Sequence, residues 1–252
     1  MTYLLEACVG SIEGAVAAQE GGADRVELCA NMIEGGCTPS AGTIRVAREL
    51  LQIPMNVIIR PRGGDFLYSN AEFQTMASDI EFAKQAGADG VVIGILKEDA
   101  RVDEKRTGAL IERARPMSVT FHRAFDRARD PIEALDTLIG LGADRILTSG
   151  QEPTVLEGLD LIAELVKRAG DRIIIMPGCG INERNFEKIL AESGAREFHA
   201  YMPVTLESQM THRNPSVFMG GELRPPEYQL TSTDAGRIGA LAGILNRAKG
   251  AD

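Results

Sequence analysis

Short apolar, β-branched runs alternate with longer segments of helical periodicity along the whole chain. The first run, 3–8, is followed by a helical pattern over 11–21 with Ser11 in the N-cap position. Further runs at 25–29, 55–60, 90–95, 118–123, 145–148, 172–176 and 197–200 predict seven more strands. Helices are predicted between them at 40–51, 70–86, 103–115, from Asp130-Pro131 onward, 152–169 and 182–193, with a last one at 232–249. At Asp130-Pro131 the aspartate suits the N-cap and the proline suits N1, where no intrahelical donor is needed. Strict alternation predicts a parallel sheet with helical crossovers, and a count of eight favours a closed (β/α)8 TIM barrel, an α/β fold in one domain over 1–252. A stretch of about thirty residues, 201–231, precedes the last helix and is expected to be a lid, a binding loop or a disordered segment.

A short repeat agrees with this reading. Gly22-Ala23-Asp24, Gly87-Ala88-Asp89, Gly142-Ala143-Asp144 and Gly194-Ala195-Arg196 launch the second, fourth, sixth and eighth strands. Recurrence at every second βα unit suits a barrel of quarter units, with the glycine ending each helix. These turns fall on the N-terminal face, where stability features are expected.

Chemistry in such a barrel gathers at the C-terminal strand ends. Side chains alternate between the interior and the helix layer. With Val26 and Leu28 toward the helices, Glu27 and Cys29 point inward, and the same phasing puts Glu6, Cys8, Arg60, His122 and His199 inside. Five ionisable groups in one mouth are costly to bury unless paired. One reading makes Glu6 or Glu27 a structural partner of Arg60; the other makes Glu6, Glu27, His122 and His199 candidate catalytic acids and bases. Arg60, Arg62 and Arg123 share this face with Gly178 and Gly180, which stand before a predicted helix start, and together they form a candidate anion site. Cys8 and Cys29 each follow a glutamate by two residues on neighbouring strands, and soft thiolates select Cu(I) over harder cations.

Composition removes several alternatives. The formal charge of −9 with no Lys/Arg-rich stretch argues against nucleic acid. No apolar run reaches the roughly 18 residues of a membrane span. The N-terminus carries no basic segment and meets Glu6 at once, so a cytoplasmic location is expected, with the four cysteines reduced.

The segments Leu5-Glu6-Ala7-Cys8, Val26-Glu27-Leu28-Cys29, Gly35-Gly36-Cys37-Thr38-Pro39-Ser40, Arg60-Pro61-Arg62-Gly63-Gly64-Asp65-Phe66, Phe121-His122-Arg123-Ala124-Phe125-Asp126 and Leu147-Thr148-Ser149-Gly150-Gln151 resemble the CutC family of copper-homeostasis proteins. The resemblance implies a cytoplasmic barrel, often a homodimer, with copper held as Cu(I) at Cys8 and Cys29. Cys37 stands where relatives often carry an aliphatic residue. Beside this copper-binding reading stands a lyase, isomerase or hydrolase acting on a small anionic metabolite, which would bind without the thiols.

Overall fold

A computed structural model describes residues 3–220 and 226–250. Eight parallel strands form the sheet: β1 (Leu4–Val9), β2 (Arg25–Leu28), β3 (Met55–Ile58), β4 (Gly90–Ile93), β5 (Ser118–Phe121), β6 (Arg145–Thr148), β7 (Ile174–Pro177) and β8 (Glu197–Ala200). Each is followed by a helix: α1 (Ile12–Glu20), α2 (Ala41–Leu50), α3 (Asn70–Gln85), α4 (Glu104–Ala114), α5 (Pro131–Leu141), α6 (Leu159–Ala169), α7 (Phe186–Ser193) and α8 (Ala235–Lys249). Strands pair in chain order from β1 to β7, and β8 pairs with β1. The ring closes between β7 and β8 through one isolated parallel bridge, Gly178 to His199. The result is a nearly closed (β/α)8 barrel.

Local chemistry explains the element ends. Ser11 accepts the Gly14 amide at the start of α1, and Asp130 accepts those of Ile132 and Glu133 with Pro131 at the head of α5. The repeated Gly-Ala-Asp turns have a physical role. Their glycines take positive φ, and Asp24, Asp89 and Asp144 accept the amides of Leu5, Met55 and Val119 at 2.8, 2.8 and 2.7 Å. Each aspartate thereby ties the start of an odd strand to the even strand that follows it. The fourth copy carries Arg196, whose side chain cannot accept a hydrogen bond.

Three boundaries differ from the sequence pattern. Helix α6 begins at Leu159 rather than near 152, because Gly150 folds back against Gly158 and Val155 donates to the Cys179 carbonyl. Helix α7 begins at Phe186, since the Asn182 and Asn185 side chains both donate to the Gly180 carbonyl in the preceding turn. The stretch after β8 opens and closes with the paired antiparallel strands β9 (Pro203–Glu207) and β10 (Gln229–Thr233), and β10 takes Ser232 and Thr233, so α8 begins at Ala235 rather than at 232. Gly221 lies outside the described residues.

Packing divides into two apolar regions. Leu5, Val26, Leu28, Phe121 and Phe198 point outward and join the helices in the main core. Cys8, Cys29, Ile58 and Val92 form a separate small cluster inside the ring. No described helix is long and apolar enough to cross a membrane.

Candidate functional site

The barrel interior is layered, and the lower layer is ionic. Arg25 donates to Glu6 and, at 2.7 Å, to Glu197; Arg145 donates to both Glu197 oxygens at 2.6 and 3.1 Å. Asn56 adds a donor to Glu6 at 2.9 Å. These contacts join β1, β2, β3, β6 and β8 across the ring. Burial alone would raise the Glu6 carboxyl, but the Arg25 charge and the His199 hydrogen bond outweigh it and hold it well below the usual range. Glu6 therefore pairs with Arg25 and His199, not with Arg60.

Above it lies a thiol, carboxyl and imidazole cluster. Cys8 Sγ and Cys29 Sγ are 3.8 Å apart, and Glu27 Oε2 is 3.5 Å from Cys29 Sγ. His199 bridges the layers, with Nδ1 2.8 Å from Glu6 Oε1 and Nε2 3.6 Å from Glu27 Oε2. Burial opposes a charged imidazole, yet contacts with Cys8 and Glu6 and the nearby Glu27 push His199 well above its ordinary value. The hydrogen bond from Cys29 lowers the Cys8 thiol, while the same contact and burial raise Cys29. The pair thus favours one thiolate and one thiol. Burial, then the Cys8 charge, raise Glu27, so it favours the protonated acid. Cys8, Glu27 and Cys29 place one ligand atom each within 4.8 Å of the others. Two metal–sulfur bonds of about 2.3 Å can span the observed sulfur separation, so the donors fit a soft ion.

The mouth above is a cavity of about 950 Å³, lined in part by Cys8, Glu27, Arg60, His122, Arg123 and His199. Arg60 turns its guanidinium onto the carbonyls of Glu34, Gly36 and Gly64. Burial, then the Arg60 charge, lower the His122 imidazole to about 3, so it is neutral. Arg123 pairs with Asp126 and reaches Ser149 at 2.7 Å. Arg62 is held outside the cavity by Glu72 and Asp65. Gly178 spends its amide on the Thr148 carbonyl, and neither it nor Gly180 lines the cavity. A side chain at Gly178 would collide with Leu147 and crowd His199, which accounts for glycine there. Cys37 and Cys179 stand apart from the thiol pair. No described residue of the β9–β10 hairpin lines this cavity.

Sequence reasoning missed Arg25, Arg145 and Glu197, although Arg25 shares the inward phase of Glu27 and Glu197 that of His199. Asp126 stands in the strand-five segment without a role assigned from sequence; its carboxylate accepts the Thr148 hydroxyl and the amides of Ser149 and Gln151.

Known proteins agree with this architecture. A copper homeostasis protein cutC homolog from Homo sapiens is 50% identical over 242 residues, covering 96% of this chain and 89% of the relative. A CutC-family protein of Parabacteroides distasonis is 52% identical, covering 95% and 99%. The crystal structure of CutC from Streptococcus agalactiae is 34% identical with a TM-score of 0.75, covering 79% of this chain and 98% of that one. Phosphoribosylanthranilate isomerase from Thermotoga maritima, at 11% identity, TM-score 0.57 and 98% and 99% coverage, shares the fold alone. The CutC family model matches residues 3–203. Matched over most of its length by family and relatives alike, this chain belongs to the CutC family.

Proposed function

We propose that this protein serves copper homeostasis by binding Cu(I) between Cys8 and Cys29. The observation that carries this is the buried sulfur pair, 3.8 Å apart, in an apolar cluster with Ile58 and Val92. Thiolates are soft ligands, and Cu(I) accepts fewer donors than the four of a closed zinc site. Two thiolates and Cu(I) carry a net charge of −1, which the His199 imidazolium offsets. Glu6 orients that imidazole through Nδ1, and such outer partners tune ligand basicity. The names of the relatives supply the cellular context. The cytoplasm, where thiols remain reduced, is the compartment this reading requires.

The test is anaerobic titration of reduced protein with Cu(I) against a chromophoric chelator. One equivalent should bind in the parent and in Cys37→Ser. Cys8→Ser and Cys29→Ser should each lose it. Unchanged affinity in the Cys8→Ser/Cys29→Ser double variant would sink the proposal.

A further inference from the structure

The cavity wall beside the thiol pair holds two side chains, each with a buried nitrogen that makes no well-formed hydrogen bond among the described residues. Arg60 is 6% exposed, and among the described residues it makes no ion pair. Three contacts bind its terminal nitrogens to backbone carbonyls and the Tyr68 hydroxyl lies near the guanidinium, while its Nε has no well-formed hydrogen bond among the described residues. A buried cation held by carbonyl dipoles, a phenol and an aromatic face lacks the counter-charge that such groups normally have.

His122, 4% exposed, adds a second orphan. Its Nδ1 accepts the Ala124 amide at 3.0 Å, which places the proton of the neutral ring on Nε2. That Nε2 has no acceptor among the described residues. Phe66 joins the two residues: its ring centroid lies 5.4 Å from Arg60 Cζ and 5.0 Å from the His122 ring. Of the cavity's carboxylates, Asp65 is engaged by Arg62, Asp126 by Arg123 and Glu34 by Asn31; Glu27 and Glu98 line it too, and none of the five forms an ion pair with Arg60 among the described residues. Arg127 lines the same cavity from an exposed position. The Arg60 charge and the exposed Arg127 guanidinium, with the Phe66 face against Arg60 and the His122 Nε2 donor just beneath the cavity surface, together lack an oxyanion.

We propose that Arg60, His122 and Arg127 form a binding site for a small organic anion bearing a carboxylate or phosphate group. The site shares the mouth with the thiol pair but uses none of the proposed metal ligands. A cavity of about 950 Å³ is at the upper end of small-ligand pockets. The Phe66 face would cover the carbon skeleton while the donors hold the charged end. Charge-assisted bonds of this kind are stronger than neutral ones.

The experiment uses the metal-free protein, with inorganic phosphate and malonate as separate calorimetric probes. The His122 Nε2–H proton is followed by nuclear magnetic resonance. One or both probes should bind saturably at 1:1 and shift that proton; which one binds identifies the recognised group. Arg127→Ala removes an exposed side chain and should weaken binding about tenfold. His122→Ala should weaken it as much or more. Binding should persist in Cys8→Ser/Cys29→Ser, which separates this site from the copper reading. If neither probe saturates, the inference fails. It also fails if binding leaves both the His122 proton and the Arg127→Ala affinity unmoved.

Discussion

Replacing Gly94 by alanine adds one methyl group beside the His122 ring. The new Cβ would stand 2.3 Å from Cε1 and 2.5 Å from Nδ1 of His122, and 2.8 Å from Ala124 Cβ, whereas ordinary contact begins near 3.4 Å. The ring must therefore move by about 1 Å, against a core that resists added volume. Phe66 packs on that ring, which limits its retreat. Overpacking of this kind costs about 1–3 kcal/mol. Displacing Nδ1 also strands the Ala124 amide, worth about 1–3 kcal/mol more when buried. A total near 3 kcal/mol lowers Tm by about 6–12 °C in a domain of this size. Thermal and urea unfolding should show that loss. In a double-mutant cycle with His122→Ala, part of it should vanish, leaving an interaction of at least about 1 kcal/mol. A fully additive cycle, or a Gly94→Ala protein as stable as the parent, would refute the packing argument.

Two further outcomes are expected. His122 is neutral when folded down to about pH 3, whereas its ordinary value is near 6.5. Below that value the unfolded chain takes the proton first, so stability is complete above pH 6.5 and falls as pH drops toward 3, by about 5 kcal/mol at most. Urea melts at pH 7 and pH 4 should show a smaller loss in His122→Ala than in the parent, and equal losses would remove His122 as the cause. Asp89→Ala leaves the Met55 amide without its acceptor and loosens Arg48, so a cost of about 1–3 kcal/mol is expected in denaturant unfolding; a cost within 0.5 kcal/mol, about that of an ordinary surface change, would mean that the repeated aspartates do not tie the strands.

The order of strands and helices was legible because buried parallel strands read as unbroken apolar runs, set off by Gly, Asp and Pro at the turns. The inward phase of Glu27, His122 and His199 followed from period two alone. Their partners did not. Glu6 faces Arg25 and His199 because closure of the ring fixes the stagger between strands, and no local pattern encodes that. Arg25 and Glu197 open their strands, where a charge reads as the solvated end of a run, yet both are interior. Gly94 was invisible because a missing side chain has no periodicity. The β9–β10 hairpin escaped notice because it is largely exposed, so neither face imposes an apolar alternation.

The seam between β7 and β8 makes the barrel a clasped band rather than a uniform hoop. Odd strands β1, β3 and β5 are each moored to their successor by an aspartate, but β7 meets Arg196 instead, and its hold on β8 is the Gly178–His199 bridge. Local opening takes the least-secured path, so the clasp is the first place to breathe. His199 sits on that clasp while also gripping Glu6 and reaching Glu27. Whatever occupies the mouth and engages His199 therefore also fastens the band. Occupancy and ring closure are coupled through one residue, and a ligand that recognises only the fastened form raises the stability of the whole barrel by an amount that grows with the logarithm of its concentration over its Kd.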